Sequence, residues 1–482
     1  MMARLSDLIQ RDLASDPEIS GVTADSRKVR PGFLFVALPG SRADGRSFIP
    51  AALDAGAAAV LAPDDVSGLP APVVHASDLR RAYALAAKAF YGAQPKTCVA
   101  VTGTNGKTSV AVFCRQIFER LGHKSASMGT LGVRAGDEQL TPPGLTTPDA
   151  ADVSRLLAEL ARKGVTHLAL EASSHGVDQR RLDGVEITAA GFTNLTQDHL
   201  DYHGTMGAYR AAKLRLFESL LPRGRMAVLN ADSDAYGPFA AAAVTSGQTV
   251  FSVGEAGQGL KLLDRQLVPE GQRLKLQTDG RSHDVRLPLA GDFQASNALV
   301  AAGLCIGAGE AAEAVLAALE HIEGAPGRLQ RVGSGARGGE AYVDYAHTPD
   351  GLETVLKALR PHARGRLIVV FGAGGDRDRG KRPLMGQAAA SLADVAIVTD
   401  DNPRSEEPAA IRAAILAAAP GATEIGDRRE AIRAASAMIQ EGDVLVVAGK
   451  GHEQGQTVGA TVHPFDDVTE TAAALCLETV HG

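Results

Sequence analysis

The heptapeptide Gly103-Thr104-Asn105-Gly106-Lys107-Thr108-Ser109 places two glycines, a lysine and three hydroxyl side chains in one short stretch. Glycines let the backbone curl so that free N–H groups cradle phosphate oxygens. A lysine meets phosphate charge, and a hydroxyl beside it suits Mg2+. The chemistry these residues offer is therefore the handling of a nucleoside triphosphate. The pattern is a short GxxGK[ST] form, because the general phosphate loop carries a glycine where this chain has Val101.

Three further groups follow within about a hundred residues. Glu171 closes an apolar run and precedes Ala172-Ser173-Ser174-His175. A carboxylate at a strand end near a phosphate loop is a natural Mg2+ ligand; the alternative is a solvated glutamate opening a loop. Thr193 to His203 is dense in ligand-type side chains, and within it His199 suits a second metal, against the ordinary structural role of a single histidine. Lys213 shares a helix face with Tyr209, Leu216 and Phe217. By residue physics alone it is a surface lysine that lays its stem on apolar neighbours and keeps its head in water.

These groups need elements to hold them. Thr97–Thr102 reads as a buried strand running into the glycine loop, and Val112, Phe113, Ile117 and Leu121 give helical spacing from Thr108 to a stop at Gly122. His167–Glu171 and Ala189–Thr193 read as further strands. Earlier, Phe33–Leu38 and Ala57–Leu61 read as strands separated by a short helix, and a helix from Leu79 to Tyr91 ends at Gly92. After a linker at Gly324-Ala325-Pro326-Gly327, three apolar runs each empty into a polar loop. Arg366–Phe371 precedes Gly372-Ala373-Gly374-Gly375, Val395–Thr399 precedes Asp400 to Arg404, and Val444–Ala448 precedes Gly449 to Glu453. Strand–loop–helix alternation of this kind is that of a parallel α/β sheet, with ligands at the carboxyl ends of strands. The fold class is α/β in three domains, with boundaries at 1–94, 95–324 and 325–482.

The 482 residues suffice for about three cores. A net charge of −7 argues against a nucleic-acid surface but leaves room for small anions. Cys98, Cys114, Cys305 and Cys476 have no paired or metal-type spacing and read as buried free thiols of a cytoplasmic protein. The amino terminus lacks a signal-peptide pattern, and no apolar run reaches membrane-spanning length.

In this order the motifs resemble the Mur ligases of bacterial cell-wall synthesis, over essentially the whole chain. The match rests on the short phosphate loop, Glu171 with Ser173-Ser174-His175, Asn194 to His199, Lys213 with Leu216-Phe217, Asn297, Arg328, Asp344 to His347, and the loops at Asp376, Asp401 and Gly449. The resemblance implies an N-terminal UDP-binding α/β domain, a central P-loop ATPase domain with a mostly parallel sheet, and a C-terminal Rossmann-like domain. It implies a monomer that uses ATP and two Mg2+. One ion would sit at Thr108 and Glu171, the other at His199 and at Lys213 carrying a carbamate (N6-carboxylysine), which reverses the surface reading of that lysine. It assigns ATP to Gly103 through Ser109 with Asn297, Arg328 and Asp344, and catalysis to Lys107, Glu171, His199 and Lys213. Ser26, Arg27, Ser41, Arg42 and Ala43 match UDP contacts; Thr146, Thr147, Ser173, Gln179 and Arg181 match muramoyl-peptide contacts. Leu145 stands where relatives often have Asn, so a contact there would use the backbone.

The same resemblance assigns Arg377, Asp401, Asn402, Pro403, Arg404, Gly449 and Glu453 to the incoming amino acid, meso-diaminopimelate. Arg404 is the physical discriminator, since diaminopimelate carries a second carboxylate that lysine lacks. The implied reaction joins that amino acid to the D-Glu γ-carboxylate of UDP-MurNAc-L-Ala-D-Glu through an acyl phosphate. A lysine-adding relative, a folylpolyglutamate synthetase-like ligase and a non-ligating nucleotide switch are the competing expectations.

Overall fold

The computed structural model of the protein describes residues 2–40, 44–268 and 271–477. Its contacts divide into two compact units. The first runs to Leu262 and adds Gln277–Arg281 and Leu299–Ala318; the second holds Leu263–Leu276, Ser282–Ala298 and the chain from Leu319.

The first unit begins with a four-stranded parallel sheet, Gly21–Thr23, Phe33–Val36, Ala59–Ala62 and Val73–His75, side by side in chain order. The expected helix between its second and third strands is Ile49–Asp54. Two strand limits move from expectation. Phe33–Val36 stops early because Leu38 N–H turns back to Val36 O. The third strand starts at Ala59 because Ala57 N–H is still tied to Ala52 O at the helix end. Leu79–Tyr91 is helical as expected, capped by Asp78 at its start and by Gly92 at its end, and buries Tyr83, Ala87 and Phe90 in the core of this sheet.

The rest of the unit is built on a larger sheet whose strand order carries the site. Thr97–Thr102 lies at its centre, parallel to His167–Glu171 on one side and to Ala189–Phe192 on the other. Ser125–Gly129 lies outside His167–Glu171, and Met226–Asn230 outside Ala189–Phe192. Glu171 pairs with Val101 and Phe192 with Thr102, so loops that begin at 103, 172 and 193 leave the sheet at one edge. The helix Lys107–Arg120 starts one residue before expectation, since Gly106 in a left-handed conformation (φ 86°) forms its N-cap. Its Val110, Phe113, Ile117 and Phe118 are fully buried.

In the second unit the strands order as Gln330–Ser334, Glu340–Asp344, Val444–Ala448, Leu367–Phe371, Val395–Val398 and Thr423–Glu424. Only the first pair is antiparallel; the remaining pairings are parallel. The three strands expected to empty into polar loops are thus immediate neighbours. Cys98, Cys114 and Cys305 are buried free thiols, but Cys476 is exposed. On the helix Asp467–Leu477 the inward face belongs to Ala474 and Leu475, which leaves the next position outside. Among the described residues no helix is long and apolar enough to cross a membrane.

Candidate functional site

The phosphate loop is held in shape by segment 193–196. Asn105 N–H donates to Asn194 Oδ1 (2.9 Å), Thr193 Oγ1 donates to Asn105 O (2.6 Å), and Thr196 N–H donates to Thr104 Oγ1 (3.0 Å). Segment 193–196 therefore templates the loop, and Gly103 is what lets it approach. At Gly103 (φ 155°) an added Cβ would stand 1.9 Å from Thr193 Oγ1. Lys107 folds over the loop, its Nζ donating to Gly103 O (2.9 Å) and Thr104 O (2.7 Å), a position from which it meets phosphate charge.

Glu171 is 3% exposed at its strand end. Its Oε2 accepts from Thr108 Oγ1 (3.0 Å), and its Oε1 accepts from Thr130 N–H (2.8 Å). Two adjacent ligands of an octahedral Mg2+ stand about 2.9 Å apart, so this hydroxyl–carboxylate pair already has the spacing such an ion needs. Thr130 and Gly129 escaped sequence reasoning. They belong to the strand end beside Glu171, and strand order is invisible in a single sequence. A Cβ on Gly129 would lie 2.0 Å from Glu171 Oε1, so glycine there makes room for the carboxylate. Gly129→Ala displaces the flexible end of Glu171 rather than the backbone. Activation by Mg2+ is expected to shift to about tenfold higher concentration with the thermal unfolding midpoint little changed, read from an Mg2+ titration of activity beside a melting curve.

The surface reading of Lys213 is corrected. The residue is 1% exposed, because the helix Met206–Arg215 turns its Tyr209 and Lys213 face onto the phosphate loop. Its Nζ donates to Gly103 O (2.6 Å) and stands 4.5 Å from the centre of the Tyr209 ring. Burial, reinforced by the nearby Lys107 charge, pushes its pKa well below the usual lysine value. A neutral amine is the form that adds CO2, so the environment fits a carbamate. His199 neighbours the same tyrosine, with ring centres 6.1 Å apart, in a left-handed backbone conformation (φ 52°). His203 also packs on Tyr209, and its buried Nε2 has no hydrogen-bond partner among the described residues.

The residues matched to the muramoyl peptide form one continuous surface running from Glu171. Thr146 Oγ1 contacts Thr130 Oγ1 (2.9 Å). Thr147 Oγ1 donates to Glu171 O (3.0 Å) and accepts from Ser173 N–H (3.2 Å). Arg181 donates to Thr147 O (2.6 Å) and Gln179 Oε1 (2.7 Å), and Gln179 donates to the Tyr202 hydroxyl (3.1 Å). Both of these acceptors of Arg181 are neutral, and burial lowers its pKa against the opposing charge of Asp149. Leu145 is 68% exposed beside this surface. Ser26 and Arg27 line a separate cavity of about 960 Å3 with Lys28, Phe33, Tyr83 and Asp152. Arg27 there is paired with Asp25 at 2.8 Å. Ser41, Arg42 and Ala43 lie outside the described residues.

In the second unit Asn297, Arg328 and Asp344 come together. Asn297 Nδ2 donates to Gln294 Oε1 (3.1 Å), Gln294 Nε2 donates to Arg328 O (3.0 Å), and the Arg328 guanidinium lies 4.6 Å over the Tyr345 ring. Asp344 accepts from Leu329 N–H (2.6 Å) and Ala346 N–H (2.8 Å); burial nevertheless raises its pKa to about 6.

The three neighbouring strand ends interlock in the same unit. Gly375 N–H donates to Asn402 O (2.9 Å), and Arg404, with φ 53°, donates from Nη1 to Gly375 O (2.7 Å). Asp401 and Pro403 are buried between these loops, and a Cβ on Gly449 would stand 2.5 Å from Asp401 Oδ2. Glu453 accepts from Asn402 Nδ2 (2.9 Å), and Arg377 is exposed on the first loop. Arg404 and Glu453 therefore set a cation and an anion, the charges a zwitterion needs, on the loops after Val395–Val398 and Val444–Ala448, two strands that flank Leu367–Phe371.

A further group, His123, His167 and Glu310, has ligand-type atoms within 4.8 Å of one another. The two imidazoles are stacked at 3.8 Å, and His123 Nε2 pairs with Glu310 at 2.9 Å. Ring stacking and the His123–Glu310 contact hold this cluster together.

Comparison with known proteins matches three family models in order along the chain. Residues 18–96 match the Mur ligase family, catalytic domain; residues 101–305 match the Mur ligase middle domain; residues 327–451 match the Mur ligase, glutamate ligase domain. The chain belongs to the Mur ligase family. Within it, the chain is 72% identical over 481 residues to the UDP-N-acetylmuramoyl-L-alanyl-D-glutamate–2,6-diaminopimelate ligase of Caulobacter vibrioides, covering 98% of this chain and 99% of that one. It is 55% identical to the ligase of the same name from Bradyrhizobium diazoefficiens, with coverage of 98% and 99%. A solved structure of a UDP-N-acetylmuramoyl-L-alanyl-D-glutamate–2,6-diaminopimelate ligase superposes with a TM-score of 0.76 at 34% identity, covering 99% of this chain and 100% of that one. A folylpolyglutamate synthase of Mycobacterium tuberculosis shares the fold alone, at TM-score 0.62 and 20% identity, covering 84% of this chain and 95% of that one.

Proposed function

We infer that this chain is an ATP-dependent ligase that joins meso-diaminopimelate to the D-Glu γ-carboxylate of UDP-MurNAc-L-Ala-D-Glu. The observation that carries this reading is the continuity of the phosphate loop with the Thr147, Ser173 and Arg181 surface through Glu171. A bound carboxylate and the ATP γ-phosphate would meet along that line. The identity to ligases so named supports the choice of substrates.

A carboxylate resists attack by an amine until one oxygen becomes a leaving group. A γ-carboxylate oxygen attacks the γ-phosphorus, the bond to ADP breaks, and an acyl phosphate forms. The amine of diaminopimelate then attacks the acyl carbon, phosphate departs, and the nitrogen loses a proton. Gly103 to Ser109 would hold the phosphates, with Lys107 offsetting their charge against the incoming carboxylate. Asn297, Arg328 and Asp344 would take adenine and ribose. Thr108 and Glu171 would hold one Mg2+, and His199 with carbamylated Lys213 the other; bound there, the ions screen triphosphate from carboxylate. Ser26, Arg27 and segment 41–43 would receive the UDP end. Arg377, Asp401, Asn402, Pro403, Arg404, Gly449 and Glu453 would receive the amino acid, Arg404 on its distal carboxylate and Glu453 on its ammonium. We place the domain boundaries near 94 and 324, and the enzyme in the cytoplasm as a monomer.

The test supplies ATP, UDP-MurNAc-L-Ala-D-Glu and either meso-diaminopimelate or L-lysine, and follows phosphate and amide product. Product with diaminopimelate and little with lysine is expected. Product with neither overturns the ligase reading, and preference for lysine overturns the role of Arg404.

A further inference from the structure

Lys450 is 0% exposed although its side chain ends in an amine, unmatched by any role so far, and adjacent in sequence to Gly449. A lysine so deeply buried needs neighbours that repay its desolvation. Its Nζ donates to Asn402 Oδ1 (2.9 Å) and to Gly455 O (2.7 Å). Asn402 Oδ1 also accepts from Thr457 N–H (2.9 Å). Two donors on one oxygen leave the amide no alternative orientation, since a flipped Nδ2 would face both of them. The amide nitrogen must therefore point the other way, and there it donates to Glu453 Oε2 (2.9 Å). The Glu453 side chain stays 36% exposed, so its carboxylate remains open to a ligand while Asn402 holds Oε2, which also lies 3.9 Å from Lys450 Nζ.

The same lysine reaches the opposite charge of the site. By anchoring Gly455 O and, through Asn402, Thr457 N–H, it fixes the strand Gly455–Val458. Thr457 O in turn accepts from Arg404 N–H (3.0 Å), which ties down the left-handed turn from which the Arg404 guanidinium projects. One buried cation thus orients both a carboxylate and a guanidinium, on loops of two different strand ends.

We propose that Lys450 is a positioning residue for amino-acid selection: through Asn402 and the strand Gly455–Val458 it holds Glu453 and Arg404 at the separation a diamino dicarboxylate requires. The inference rests on the ligase reading above. Its consequence is selective. Loss of the Nζ bonds leaves Asn402 Oδ1 with Thr457 N–H alone and releases Gly455 O, which loosens both the amide and the Arg404 turn.

The test is steady-state kinetics of the full-length chain carrying Lys450→Met, which keeps the stem and removes the charge. The KM for diaminopimelate is expected to rise at least tenfold, with the KM values for ATP and for the UDP-linked substrate within about twofold of the parent. In a double-mutant cycle, Lys450→Met and Glu453→Gln are expected to be clearly less than multiplicative on that KM, because both act through one carboxylate. An unchanged KM for diaminopimelate, an equal loss toward all three substrates, or fully multiplicative effects would each overturn the proposal. Absence of turnover in the parent chain would instead overturn the ligase reading beneath it. If Lys450→Met shows no cooperative thermal unfolding, Asn402→Asp carries the same readout: it keeps the acceptor for Lys450 but replaces the donor to Glu453 with a repelling oxygen, and the same selective rise in KM is expected.

Discussion

Lys213→Ala is expected to lower kcat by about a thousandfold, the scale of removing a group that stabilises developing charge in a closed site. Part of the activity is expected to return with added formate or acetate, whose carboxylate can enter the space the side chain leaves. The argument starts from burial. Lys213 is enclosed by the Tyr209 ring and Gly103 O, and its lowered pKa leaves more neutral amine at a given pH than an exposed lysine would have. The amine adds CO2 to give a carbamate and a proton, so a cation becomes an anion beside the phosphate loop. The sign of the pH effect follows. As pH falls, the amine is increasingly protonated, carbamate is lost, and wild-type activity in CO2-free buffer should fall further at acid than at alkaline pH. Added bicarbonate should restore it. A variant with full activity, or a wild type indifferent to CO2 at every pH, would contradict the carbamate. The fold is expected to survive, since alanine removes a buried amine along with its desolvation penalty.

Arg404→Ala is expected to reduce kcat/KM for diaminopimelate by about a hundredfold, in the range found when one partner of a desolvated charge pair is removed. Lysine, which has no distal carboxylate, should be affected far less, so the preference between the two narrows. Arg404→Lys is not a conservative change, because an ammonium cannot present the planar fork that meets a carboxylate with two parallel bonds. Competition between the two amino acids, read from product masses, measures the effect. An equal loss toward both would mean that Arg404 only supports the loop through its bond to Gly375 O.

Much of this arrangement is legible in the residues. The strands Thr97–Thr102, His167–Glu171 and Val444–Ala448 fall where the apolar runs place them, because strands buried on both faces are almost unbroken in hydrophobicity. The loop chemistry is legible too, since glycine, lysine and hydroxyl side chains declare a phosphate site. What escapes is whatever depends on which strand lies beside which. Thr130 and Gly129 belong to the Glu171 site only because Ser125–Gly129 pairs with His167–Glu171. Lys213 looks like a surface lysine from its helix alone, and only the packing of that helix on the phosphate loop buries it. Lys450 sits in plain view within Gly449-Lys450-Gly451, yet its partners Asn402 and Gly455 are set by the meeting of two loops.

The central claim is that this chain activates a carboxylate with ATP before making an amide. The most direct measurement is isotope transfer. With both oxygens of the D-Glu γ-carboxylate labelled with 18O, one labelled oxygen should appear in the inorganic phosphate released and one should stay in the amide product. Phosphate free of label while amide forms would contradict the acyl-phosphate account.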